Sequence, residues 1–229
     1  MDVIDPSAAS PSVPDFILEH ESRVASLQRY REACQRCGQR DRFTRRDMRL
    51  RSVRVLLKNV VRVFSIILVR WRCAHCHYRF TDYPPFLLPY TRYALTGLIE
   101  RCQVYLDHDQ MSYAKVARTE DRRPVWYVNG QGRELLPARA LAPSTIWRWV
   151  TFWGLQTIAL QKGLQLWLEH DASSPVHRFL GGVAPHKFRS ETRGNILRTA
   201  RRLLHLNNRW NHAFCGSFLP RFATRVRVP

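Results

Sequence analysis

Lysine is nearly missing from this chain: 4 of 229 residues are Lys, against 33 Arg. Acidic side chains are scarce too, 18 in all, which leaves a formal net charge of +19. No apolar run is long enough to cross a bilayer. The most apolar one, "VVRVFSIILV", is broken by Arg62 and closed by Arg70. The opening "MDVIDPSAASPSVPDF" has neither the basic start nor the apolar centre of a signal peptide, so a cytoplasmic, nucleoid-associated location is expected. Phosphate-cradling P-loops, dinucleotide fingerprints, nucleophile elbows and HExxH are all lacking. His205, Asn208 and His212 fall close together in "HLNNRWNH", but the flanking sequence does not read as the ββα cradle that a His-Asn-His nuclease needs. No enzyme is expected.

What is present is charge in blocks. Residues 1–30 carry 2 basic and 5 acidic side chains, residues 31–80 carry 14 and 3, residues 81–134 carry 7 and 7, and residues 135–229 carry 14 and 3. Two basic blocks flank a neutral one, a footprint that points to a polyanionic partner. Arginine suits that task, because its planar fork pairs with phosphate and with guanine.

Four of the six cysteines form two pairs, Cys34-Gln-Arg-Cys37 and Cys73-Ala-His-Cys76. In a reducing compartment this spacing reads as metal ligation, and two CxxC pairs supply the four thiolates of a tetrahedral structural Zn2+ site. No ligand position is then left for His75 or His77. Gly38 follows the first pair, where such a turn favours positive φ. Between the pairs, "MRLRSVRVLL" alternates, "KN" offers a turn, and "VVRVFSIILVRWRC" runs into Cys73. At period 2, Val61, Val63, Ser65, Ile67, Val69 and Trp71 share one face. Arg62, Phe64, Ile66, Leu68, Arg70 and Arg72 share the other. This predicts a β-hairpin carrying both pairs, with little core of its own and the metal supplying much of its folding free energy. Cys102 and Cys215 stand alone and are expected to be small buried residues.

After a proline-rich linker, "YPPFLLPY", a helix is expected from near Tyr93, with Leu95, Leu98, Ile99, Cys102 and Leu106 on one stripe. "SYAKVAR" follows, with Ser112 as its N-cap. In "LAPSTIWRWVTFWG", Pro143 suits a first turn, Ser144 and Thr145 can cap, and Gly154 marks an end or bend. Ile146, Trp149, Val150 and Trp153 share a face, with Trp147, Arg148 and Thr151 pointing elsewhere. A helix with Ser-Thr at its start and Arg in its middle suits the major groove. Residues 92–154 therefore read as a helix-turn-helix, interrupted by a hairpin insert near 119–141 around Asn129-Gly130.

This combination resembles transposon-associated zinc-ribbon and helix-turn-helix proteins: the N-terminal part of insertion-sequence transposases, and related small bacterial proteins. The resemblance covers roughly residues 31–155. It implies that Cys34, Cys37, Cys73 and Cys76 hold zinc and that Ser144, Thr145, Trp147 and Arg148 approach DNA. A transposase or other transposition partner is expected only if the chain is a docking subunit of a transposition complex. Such transposases continue into a nuclease-like domain with three metal-binding carboxylates. After Glu134 only Glu169, Asp171 and Glu191 are acidic here, so the catalytic part is not expected.

The last third reads as helical, and "RGNILRTARRLLHLNNRW" is amphipathic, with Arg198, Arg201 and Arg202 off its apolar side. Phosphate contact is expected of them, and Thr151 is counted with the DNA-facing residues of the earlier helix. The expected fold is α+β: a flexible acidic lead-in (1–30), a zinc ribbon (31–82), a helix-turn-helix unit (83–154) and a basic helical region (155–229). The expected function is non-catalytic, zinc-dependent binding of double-stranded DNA. An RNA-binding or nucleoprotein assembly module, or a docking subunit of a transposition complex, is the alternative.

Overall fold

The computed structural model describes residues 15–57, 60–89, 91–117, 127–129, 135–136, 141–173, 182–214 and 217–223. It contains both helices and a sheet, as an α+β reading requires. Strands β1 (Phe43–Leu57) and β2 (Val60–Cys73) pair antiparallel from Phe43↔Cys73 to Leu57↔Val60. The alternating sequence on both arms makes this hairpin legible. One residue, Arg46, is extra to the register and forms a bulge.

Strand β3 (Arg79–Asp82) pairs with the cysteine end of β2, from Val69↔Asp82 to Arg72↔Arg79. At the far end, β4 (Tyr127–Asn129) runs parallel to β2 over Val61–Val63, and β5 (Leu135–Leu136) pairs antiparallel with β4. The insert's strands thus extend the hairpin's own sheet. Its expected turn at Gly130 lies outside the described residues.

Between β3 and β4 a stretch of β2's edge is left over, and helix α1 (Asp15–Ala25) lies against it. Buried His20 donates from Nε2 to the Ile67 carbonyl at 2.8 Å, and its Nδ1 accepts from the Tyr30 hydroxyl at 3.0 Å. An edge carbonyl inside a protein needs such a partner. The lead-in is therefore corrected from Asp15 onward: it is a helix docked on the sheet. Residues 1–14 are outside the described set.

The side chains of β2 alternate as expected, but burial changes sides along the strand. Toward the tip, Val53, Val55, Phe64, Ile66 and Leu68 pack with Ile17 and Leu87. At the cysteine end, Val69, Trp71 and Phe80 pack with Val24, Phe43 and Tyr78. Each fully buried side chain of this size contributes about 1.5–3 kcal/mol. The expectation of a hairpin with little core is corrected: it has two apolar clusters besides the cysteines.

The linker after β3 crosses this sheet. Its prolines keep it from coiling, and Leu87 N–H closes a turn onto Pro84 O at 3.0 Å. Leu87 enters the hairpin core while its neighbour Leu88 enters the helical core. The chain then lies parallel to the outer edge of β1, where Arg54 N–H donates to Arg92 O (2.7 Å) and Ala94 N–H donates to Arg54 O (2.8 Å).

Six helices follow: α2 (Leu95–Asp107), α3 (Tyr113–Ala117), α4 (Pro143–Gly154), α5 (Thr157–His170), α6 (Glu191–Phe214) and the short α7 (Leu219–Phe222). A 3-10 turn at Pro185–Lys187 precedes α6. One core joins them, with Leu98, Cys102, Ile146, Trp153, Leu197 and Leu203 at its centre. Residues 83–154 and 155–229 thus share a core rather than forming separate regions. Ser112 caps α3 as expected, accepting from Lys115 N–H at 3.2 Å. Pro143 opens α4, but Ala142 is its N-cap and no side chain bonds there, so the capping role of Ser144 and Thr145 is corrected. Gly154 is where α4 meets α6: a Cβ there would lie 2.3 Å from the Ile196 carbonyl oxygen. Among the described residues no helix is long and apolar enough to cross a membrane.

Candidate metal centre and basic surface

The two cysteine pairs sit on matching turns. In the first, Gly38 N–H donates to Cys34 O (2.9 Å) and Cys34 N–H donates to Gln39 O (2.8 Å). In the second, His77 N–H donates to Cys73 O (3.0 Å) and Cys73 N–H donates to Tyr78 O (2.9 Å). Each turn has a positive φ at its fifth residue, +72° at Gly38 and +59° at His77. His77 is therefore a backbone element of the turn, in a conformation more costly for it than for glycine.

These turns bring the four sulfurs within 4.8 Å of one another. Cys34 Sγ lies 3.5 Å from Cys76 Sγ, and Cys37 Sγ lies 3.7 Å from Cys73 Sγ. A disulfide would require about 2.0 Å. Four thiolates about 2.3 Å from a central tetrahedral ion stand about 3.8 Å apart. The geometry fits a metal ion. Cys34 and Cys73 are buried and Cys37 is exposed.

Cys34 and Cys37 are pushed in opposite directions by their shared surroundings. Burial opposes ionisation of Cys34, but the backbone amides of Arg36 and Cys37 and the neighbouring thiols outweigh it and bring it down to about 6. At Cys37 the Gln39 amide favours the thiolate, but the three other sulfurs overcome this and push it up to about 12. Four like charges cannot gather here unaided, whereas a central cation removes the conflict.

Arginine surrounds this end of the sheet. Arg36 and Arg40 on the first turn, Arg42, Arg45, Arg46 and Arg49 on or next to β1, and Arg79 on β3 are exposed. Asp47 is matched by Arg70 at 2.9 Å. The bulge at Arg46 places two consecutive arginines opposite Trp71.

The second set of predicted residues lies on α4 and α6. Ser144 and Arg148 are exposed on the first turns of α4, and Thr145 and Trp147 are half-buried. Thr151 is corrected: it is buried, donates to Trp147 O at 2.7 Å, and accepts from Arg193 Nη1 at 2.7 Å. The predicted stripe of Ile146, Val150 and Trp153 is buried, and Thr151 beside it is covered by Arg193 of α6. Arg198 is paired with Glu191 and donates to Asn195 Oδ1 (2.9 Å). Arg201 Nε donates to Asp107 Oδ1 at 3.0 Å. Both are turned toward their own chain, while Arg202 is exposed.

Arg193 was not singled out from sequence. Its guanidinium also donates to the Tyr113 hydroxyl (2.6 Å) and lies 5.2 Å from the Trp147 ring, so one side chain ties α3, α4 and α6 together. Nothing in the local pattern separates it from the surrounding arginines. Comparison with protein-family models, curated proteins and solved structures found no match.

Proposed function

We propose that this chain is a non-catalytic, zinc-dependent DNA-binding protein that serves a mobile element or transcription. The observation that carries this reading is the tetrahedral spacing of four sulfurs at the arginine-dense end of the sheet. An all-thiolate donor set is soft and suits Zn2+ in a structural role, where the ion fixes the two turns. In this reading the sheet is a zinc ribbon whose arginines contact phosphates. Helices α2, α3 and α4, which contact one another pairwise, act as the helix-turn-helix. Exposed Ser144 and Arg148 meet the major groove, with Thr145 and Trp147 beside them and Arg148 on guanine. Arg202 adds a phosphate contact.

A second reading, a docking subunit of a transposition complex, draws on a different observation. Met48, Leu50 and Ile67 are exposed on one face of the hairpin, Leu50 to 74%. Its sign is weak DNA binding alone and tight binding with the partner.

The test is retention of a randomised duplex library by the zinc-loaded protein at physiological salt, followed by sequencing. An enriched motif is expected. Retention without enrichment overturns sequence reading and leaves only phosphate contact.

A further inference from the structure

A cleft runs between the first cysteine turn and the C-terminal end of the helical core. It comprises two neighbouring cavities of about 580 and 450 Å3 that share Arg31, Gln35, Tyr83 and Pro89 in their walls. Volumes of this order are typical of small-ligand sites, roughly 300–1,000 Å3. The lining has a distinct chemistry. Tyr30, Tyr83, Tyr78, Phe80 and Phe152 supply aromatic surface, and Pro85 and Pro89 supply flat apolar surface. Tyr78 and Phe80 are stacked at 6.3 Å and 20°. The Arg31 guanidinium lies 5.4 Å from the Phe80 ring centre, and exposed Arg221 stands on the wall that also holds Ser217. One carboxylate, Glu32, lines the cleft.

Aromatic platforms beside guanidinium groups are what an unpaired nucleotide needs: the base stacks, and the phosphate pairs with arginine. Paired bases inside a duplex hide their faces in the stack and cannot use such a platform. We infer that this cleft binds one or two unpaired nucleotides of a single-stranded or frayed nucleic acid, with the base against Tyr83 and the phosphates between Arg31 and Arg221. Gln35 offers an amide to the base edge. The inference deepens the nucleic-acid reading above. The two are read out separately, since duplex retention tests that reading and single-strand binding tests this one.

The test uses the full zinc-loaded chain with two 15-nucleotide probes, a DNA containing 4-thiothymidine and an RNA containing 4-thiouridine. Near-ultraviolet crosslinking is followed by peptide mapping. Label is expected on the segments 30–35 or 78–89 with at least one probe, and the probe that binds more tightly identifies the source of the strand. Tyr83→Leu keeps apolar volume but removes the ring, and is expected to weaken single-strand binding roughly tenfold while leaving duplex retention unchanged. Arg221→Gln does not threaten the core, because Arg221 is the exposed residue of the short helix α7. It is expected to make the slope of log K against log salt shallower by about 0.7, the value for one single-strand phosphate contact. Label confined to other segments overturns the inference. So does single-strand affinity within twofold of wild type in both variants. Should Tyr83→Leu fail to fold, Arg221→Gln and the crosslink map decide.

Discussion

Replacing Gly154 by Ala tests the packing that presents α4. An ideal Cβ at this position lies 2.3 Å from Ile196 O, 2.4 Å from Ile196 Cγ2 and 2.8 Å from the Ile196 carbonyl carbon. Ordinary contact begins at 3.4 Å, so the shortfall is 3.4 − 2.3 = 1.1 Å. The nearest atom is backbone and cannot rotate away. The helices must separate by about 1 Å, a gap of the size that forfeits up to half of each affected contact's dispersion energy. Overpacking of this kind costs about 1–3 kcal/mol. Alanine offsets at most about 1 kcal/mol through helix propensity, and less here because Gly154 is the last residue of α4. The steric term wins, with a net loss of about 1–2 kcal/mol. Urea unfolding followed by far-ultraviolet circular dichroism reads it as a midpoint lowered by about 0.5–1 M at constant slope. A second variant sharpens the logic. Ile196→Ala removes Cγ2 but leaves the carbonyl, so it recovers little of the loss in the double variant. An unchanged midpoint for Gly154→Ala, or full rescue by Ile196→Ala, refutes the close approach.

Three further outcomes are expected. Cys73→Ser abolishes stoichiometric zinc in the purified protein and removes hydrogen-exchange protection near Phe43 and Trp71, while amides at Val53 and Phe64 stay protected by their own apolar cluster; normal zinc content would refute the four-sulfur site. Arg148→Ala costs about 1–3 kcal/mol of discrimination at one base pair, measured by competition among single-base variants of the selected site, whereas equal loss on all sequences shows a phosphate contact only. The third concerns pH. Burial holds His20 below its usual 6.5, against the opposing pull of the Ile67 carbonyl and the Asp82 and Glu21 carboxylates. Just below 6.5 the unfolded chain therefore binds more protons than the folded one, and stability falls as pH drops through this window. Burial raises Asp82, which works in the opposite sense. His20→Gln retains Asp82 but cannot titrate, so its urea midpoint declines less between pH 7.5 and 5.5; identical declines would rule out His20 as the source.

The cysteine turns were legible because their information is local: CxxC spacing, a glycine where φ turns positive, and strict alternation on both arms. Helix α1 was not. Ile17, His20 and Val24 do recur at helical spacing, but within an acidic stretch that follows a Pro- and Ser-rich one, and only the bare edge of β2 gives them something to bury against. The sides of β2 were legible as a period and not as burial, since a period says which residues share a face and not what covers it. Leu87 and Phe80, which decide that, come from later in the chain. Thr151 failed for the same reason. Ile146, Val150 and Trp153 are buried as their stripe predicts, but α6 also covers Thr151 through Arg193, a partner far away in sequence. The basic blocks were legible as totals, but the ion pair that turns Arg201 toward Asp107 is tertiary, and the Arg198–Glu191 pair spans two turns of α6.

Leu87 and Leu88 are consecutive, yet each is buried in a different core. Two neighbouring residues cannot serve both cores unless the cores keep a fixed relation to each other. The segment that composition marks as a boundary between modules is therefore the poorest place to divide the protein. A cut before Leu87 strips the hairpin core of that residue, a cut after Leu88 strips the helical core, and either one severs β1's outer edge at Arg54 from the covalent link to its backbone partners Arg92 and Ala94. The sheet and the helices form one inheritable unit: neither can be exchanged for a foreign counterpart without rebuilding the other's surface.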